Sequence, residues 1–190
     1  MATSTITRDY LVRYQQTAVR ETGRRPVTFV REPMDEKLLL PGCPKAGYAF
    51  WQPMPWEGDA PLGKECHHFH QSILDYVSLC QFLEVRFVLP VAKAGSPLSF
   101  LYRRVFETCR NTRLSPPSRA FEEALELSTP DLPLSYCMAQ TADDGEPLLL
   151  LIRADNGQVW VHRPLGYAKP LELRLDLDRL LPKLQFVFEK

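Results

Sequence analysis

The chain has 190 residues, 45% of them hydrophobic, with 23 Lys and Arg balanced by 23 Asp and Glu. That length supports one well-buried core and is short for two. A zero net charge gives no electrostatic reason to expect a nucleic acid or an anionic membrane as partner.

The N-terminus, MATSTITRDYLVRYQQ, lacks the apolar stretch and small-residue cleavage site of a signal peptide, so none is expected. The longest aliphatic run, Leu148 to Ile152, falls far short of the roughly 18 apolar residues a membrane helix needs. Five cysteines (Cys43, Cys66, Cys80, Cys109 and Cys137) are odd in number and nowhere in CxxC spacing. A reduced, cytoplasmic setting is therefore expected rather than a disulfide framework.

In chain order, the spacing predicts an amphipathic helix over 4–22, with Ile6, Tyr10, Tyr14 and Ala18 on one stripe and Leu11 widening it. Ser4 or Thr5 suits its N-cap and Gly23 its C′ position. Residues 24–47, rich in Pro and Gly, read as an irregular connection, and Tyr48 to Trp51 as a short strand. From Lys64 to Gln81, Cys66, Phe69, Ile73, Tyr76, Val77 and Cys80 share one helical face. Leu83, Val85, Phe87 and Leu89 then alternate at strand spacing, and Leu98 to Phe106 reads as a further strand. Ser115-Pro116-Pro117-Ser118 breaks the chain before a helix expected from Ser118 to about Leu127.

The C-terminal third predicts three strands, Leu134 to Gln140, Pro147 to Arg153 and Gln158 to His162. Hairpin turns at Asp143-Asp144-Gly145-Glu146 and Asp155-Asn156-Gly157 join them. A final helix is expected from Asp176, with Leu177, Leu180, Leu181 and Leu184 inward and Pro182 removing one of its hydrogen bonds. The expected class is α+β, a single domain spanning 1–190, mostly antiparallel sheet flanked by helices.

Cys66-His67-His68-Phe69-His70 is the nearest approach to a metal motif. A structural zinc site draws ligands from two separated segments, and the remaining histidine, His162, has no Cys/His cluster around it. No metal and no cofactor are expected. Neither a G-x-S-x-G, an HExxH, a P-loop nor a G-x-G-x-x-G occurs, and Glu122, Glu123 and Glu126 at helical spacing fit a solvated face as well as acid–base work. No catalytic residues are expected.

Charge is segregated along the chain. Leu98 to Arg119 holds Arg103, Arg104, Arg110, Arg113 and Arg119 against Glu107 alone. Ala120 to Ile152 holds Glu122, Glu123, Glu126, Asp131, Asp143, Asp144 and Glu146 with no Lys or Arg. Such an acidic face either reflects ordinary charged turns or steers a basic partner. In the stretch Gly47 to Gly58, GYAFWQPMPWEG, Gln52 and Met54 precede prolines and are pushed to extended geometry. The prolines also have no N–H to give a neighbouring strand. A strand that continues as a stiff rim is expected, with Trp51, Gln52, Pro53 and Trp56 together with Glu122, Glu123, Glu126, Asp143, Asp144 and Glu146 as candidate partner-binding residues.

The segment Phe50-Trp51-Gln52-Pro53-Met54-Pro55-Trp56 resembles the hallmark of the Syd family, cytosolic bacterial proteins that bind the SecY translocon. Arg13-Tyr14 in the first helix, Gly23 and Pro26 also resemble the family's pattern. So do Leu125-Glu126-Leu127 with Pro133 before Tyr136-Cys137-Met138-Ala139, the hairpin Asn156-Gly157-Gln158-Val159, and Gly166 before a leucine-rich helix. The middle departs from it: no Gln-x-Trp strand or E-N-L-x-G-H helix is recognisable between Leu98 and Arg119. The resemblance implies a fold of the wider SUKH superfamily and a non-catalytic module, monomeric or weakly dimeric. It would act in the cytoplasm or peripherally on the inner face of the inner membrane, docking on the translocon's cytoplasmic loops. SUKH relatives that neutralise bacterial toxins supply the alternative, an immunity protein.

Overall fold

Tyr10, Leu11, Tyr14 and Ala18 are each almost fully buried, and the helix that carries them is where the N-terminal periodicity places it. A computed structural model describes residues 3–30, 36–56, 69–78, 80–90, 92–110, 135–142, 147–163 and 169–188. Helix α1 spans Thr3–Thr22. Gly23 then takes a φ of +72° and returns its N–H to the Val19 carbonyl at 2.9 Å, the left-handed stop that glycine adopts without steric cost.

The stretch after α1 is more ordered than its Pro and Gly content suggested. Strands β1 (Val27–Phe29), β2 (Leu39–Leu40) and β3 (Tyr48–Trp51) form a small antiparallel sheet in the order β1-β3-β2. A 3₁₀ turn, Glu36–Leu38, leads into β2 and buries Leu38. Strands of two and three residues are too short to show a period; the pairing to β3 makes them strands.

Helix α2 runs only from Gln71–Ser78, with Phe69, Ile73 and Tyr76 buried as expected. It does not continue to Gln81, whose backbone instead forms an antiparallel bridge with Met54. Residues 64–68 lie outside the described residues. Strand β4 (Phe82–Val88) buries Leu83, Val85 and Phe87. Phe82 is buried as well, because the ladder to the next strand shifts register between Phe82 and Val85.

The strand expected over Leu98 to Phe106 is corrected. Ser99–Leu101 is a 3₁₀ turn, Arg103 takes a φ of +62°, and strand β5 begins only at Val105, running Val105–Arg110. Ser96 and Pro97 reverse the chain: the Ser96 hydroxyl donates to the Lys93 carbonyl at 2.8 Å, and Ser99 N–H to the Ser96 carbonyl at 2.9 Å. The helix expected from Ser118 to Leu127 lies outside the described residues.

Strands β6 (Ser135–Thr141), β7 (Leu149–Arg153) and β8 (Gln158–His162) form the expected antiparallel meander. The turn over Asp143 to Glu146 lies outside the described residues. At the second turn Gly157 takes a φ of +70° and donates to the Arg153 carbonyl, while the Asn156 side chain accepts the Gln158 N–H. Leu148 to Ile152 are all buried. With a side-chain period of two, β7 is therefore covered on both faces: Leu148, Leu150 and Ile152 enter the main core, Leu149 and Leu151 a smaller cluster with Cys137 and Trp160.

Two further strands went unpredicted. Strand β9 (Leu171–Asp176) pairs with β8, and β10 (Gln185–Phe186) pairs with β4. Between them, Asp176 caps helix α3 (Leu177–Leu180) by accepting the Arg179 N–H, and the turn continues as 3₁₀ over Leu181–Lys183. Pro182 thus limits the α-helix to a single turn, while all four expected leucines face inward. The seven-stranded sheet has the order β10-β4-β5-β6-β7-β8-β9. Six strands follow one another in sequence and the C-terminus returns to the far edge. The architecture is α+β and mostly antiparallel sheet, and α1, α2 and α3 contribute to one core with it. A buried polar chain ties helices to sheet: Tyr10 OH lies 3.4 Å from Tyr76 OH, which lies 3.2 Å from Thr108 Oγ1, which donates to the Met138 carbonyl at 2.6 Å.

Candidate functional site

Trp51 and the residues after it part company at Gln52. Trp51 is fully buried, its ring 5.9 Å from that of Tyr14. It therefore cannot touch a partner, and its place among the expected binding residues is corrected. In a strand the two aromatic sets must face opposite ways. The Trp51 side enters the core, while Tyr48 and Phe50 remain half-buried on the other face.

The rim is anchored rather than free. Met54, the one residue between Pro53 and Pro55, supplies the only backbone N–H of that triplet, and it donates to the Gln81 carbonyl at 3.0 Å. Gln81 N–H donates back to the Met54 carbonyl at 2.8 Å. Gln52 is held too: its N–H donates to Leu38, its Oε1 accepts from Arg25 Nη1 at 3.2 Å, and its Nε2 lies 3.8 Å from Met54 Sδ. Trp56 is half-buried.

This held segment forms one wall of an open groove of about 730 Å³. The opposite wall is α1, contributing Leu11, Val12, Gln15, Gln16, Val19 and Arg20. Those positions are spaced by three to four residues in two adjacent rows, so they share one side of the helix. Leu11 lies at the floor, fully buried, whereas Val12 and Val19 are 48% and 49% exposed. Among the described residues the buried carboxamide nitrogen of Gln15 has no hydrogen-bond partner. Cys80 and Arg25 complete the lining, and Arg25 also borders a second depression of about 400 Å³ with Arg24, Leu40, Pro41 and Phe50.

The groove's charged groups are arginines. No carboxylate and no imidazole lines it among the described residues. Sequence reasoning found Gln52 and Pro53 but not the helix wall, because Val12 and Val19 sit off the stripe that defines the buried face of α1. Two valines seven residues apart on a polar helix face were the available signal. The acidic candidates Glu122, Glu123, Glu126, Asp143, Asp144 and Glu146 lie outside the described residues, as do Cys66, His67 and His68. Among the described residues no group of three or more His, Cys, Asp or Glu side chains could hold a metal ion, and no helix is long and apolar enough to cross a membrane.

Of the residues that carry the Syd resemblance, several do structural work. Tyr14 OH donates to the Glu84 carbonyl at 3.2 Å, and Arg13 donates to carbonyls of the C-terminal turn. Gln52, Pro53, Met54 and Pro55 line the groove. No protein-family model matches the chain, and no curated protein matches it. The resemblance therefore stands on its motifs.

Proposed function

We propose that this chain is a non-catalytic interaction module resembling Syd, acting in the cytoplasm and docking on the cytoplasmic face of the SecY translocon. The observation that carries the reading is the groove: half-exposed valines on α1 face a rigid Gln-Pro-Met-Pro wall. Exposed apolar side chains grouped along a concave surface are costly in isolation and mark binding sites.

The second reading, a SUKH-type immunity protein, gains from one feature. Among the described residues the groove's charges are Arg20 and Arg25, which repel the basic loops that a translocon presents and attract an acidic surface on a toxin. Retention of detergent-solubilised translocon on the immobilised full chain tests the first reading. Specific retention, reduced by Val12→Gln, is the expected result. Recovery no greater than on an empty resin overturns the translocon as partner.

A further inference from the structure

We infer that the groove accepts an amphipathic helix of the partner, lying antiparallel to α1 with a carboxylate in its first turn against Arg25. This rests on the interaction-module reading and specifies its ligand. The walls decide against an extended peptide. An added strand needs main-chain donors and acceptors along its path. Here one wall is a helix whose interior backbone groups bond to one another, and the other holds Pro53 and Pro55, which have no N–H, and Met54, whose N–H and carbonyl are both spent on Gln81. A helix brings its own backbone bonds and asks only for side-chain contact.

The dimensions agree. From Leu11 to Arg20 the lining extends about 14 Å along α1, or two to three helical turns. Over that length Val12, Val19 and Met54 offer an apolar strip for positions three and four apart on the incoming helix.

Charge sets the direction. Among the described residues the cations of the lining, Arg20 and Arg25, belong to the C-terminal end of α1 and the residues just after it. Arg20 already has Glu21 at 3.5 Å, whereas the Arg25 guanidinium is oriented by neutral Gln52 and has no carboxylate partner among the described residues. An antiparallel helix places its N-terminal turn there. That turn is where acidic side chains are also favoured by the helix dipole, so one carboxylate satisfies both demands.

The test uses the full chain and a synthetic amphipathic peptide of about four turns, with a leucine strip and two glutamates in its first turn. Amide chemical shifts followed during titration are expected to move along Val12 to Val19 and at Gln52 and Cys80. Val12→Gln should weaken binding about tenfold; Val19→Gln is the second variant if the first melts early. Replacing the peptide's glutamates with glutamine should weaken binding several-fold in the native chain and leave it unchanged in Arg25→Gln. Shifts confined elsewhere, indifference to both valine variants, or a glutamate effect that persists in Arg25→Gln would each overturn the inference. Translocon retention that survives Val12→Gln also overturns it while leaving the interaction module standing. Peptide binding as described, without translocon retention, supports the groove helix and removes only the named partner.

Discussion

Arg13 in α1 and Leu181 in the C-terminal turn are joined by a hydrogen bond of 2.6 Å, Nη2 donating to the carbonyl. The same guanidinium donates through Nη1 to the Pro182 carbonyl, reaches the Leu184 carbonyl at 3.4 Å, and lies 4.9 Å from the centre of the Phe186 ring. A helix cut to one turn by proline leaves its last carbonyls without intrahelical partners. A planar cation from the other end of the chain takes them.

Arg13→Lys should therefore destabilise the fold although it keeps the charge. An ammonium cannot reach several carbonyls in a fork and stack on Phe186 at once. Hydrogen bonds to charged groups contribute about 1.5–3 kcal/mol, so a loss on the order of 2 kcal/mol is expected. In a domain of this size that is about 4–8 °C in Tm. A melting curve indistinguishable from the parent would show that the contact carries no net stability.

Trp51→Ala should cost about 3–5 kcal/mol, since it empties a fully buried site. Its indole nitrogen has no hydrogen-bond partner among the described residues, so Trp51→Phe loses packing alone and should cost clearly less. Trp56→Ala, at a half-buried position, should also cost less than Trp51→Ala. Denaturant midpoints rank the three, and equal losses for Trp51→Ala and Trp51→Phe would mean that the indole makes a bond that its surroundings do not show.

Gly157, in the turn between β7 and β8, stands against His70, which precedes α2. A Cβ at Gly157 would stand 2.6 Å from His70 Nδ1, and the residue's φ is +70°. Gly157→Ala thus combines a steric clash with a left-handed backbone that costs a non-glycine residue about 1–2 kcal/mol. In the double variant with His70→Ala the clash disappears and the backbone strain stays. Its measured loss should accordingly be smaller than the sum of the two single losses; strict additivity would deny the contact.

Cys137 packs against Leu149 and Leu151, and burial pushes its thiol up to about 12 from an ordinary value of 9.0. The neutral thiol is the form the fold stabilises, so this contribution is complete below pH 9 and is lost as pH rises from about 9 towards 12. At pH 8 alkylation of Cys137 should wait on unfolding, because the thiolate is the reactive form. Cys43, half-buried in the connection before β3, serves as the comparison. Peptide mapping after a timed pulse follows both, and rapid native labelling of Cys137 would contradict the upward shift of its thiol.

Much of this fold was legible wherever one period ran long enough to be read. Tyr10, Tyr14 and Ala18 in α1, the alternation of β4 and the turn signal at Asn156-Gly157 all specify their elements locally. β1, β2 and β10 do not, because strands of two or three residues exist only through their neighbours. β9 is a different failure. Leu171, Leu173 and Leu175 alternate well, but Leu171 is exposed and Arg174 has a φ of +55° beside a register shift, so the strand's inward face is interrupted. The groove was half legible. Gln52-Pro53-Met54-Pro55 announces a stiff extended wall, yet what faces it comes from α1, and no local pattern joins two segments that far apart in the chain.

That wall yields the most specific expectation, since the partner of the one N–H in its Pro53-Met54-Pro55 part is known. Met54 N–H and Gln81 N–H bond reciprocally, so their amides should exchange slowly and lose protection together. Met54→Pro removes one of the two bonds and the freedom to form it. The segment should then detach from Gln81 and release Gln52 from Arg25, with peptide binding in the groove lost while the melting temperature falls only modestly. Pro53→Ala and Pro55→Ala act differently, because neither proline donates a bond. Each should cost at most about 0.4–1 kcal/mol through the unfolded chain's greater freedom, and the Met54 and Gln81 amides should stay protected. If Met54→Pro leaves Gln81 protected, something other than this bridge holds the wall in place.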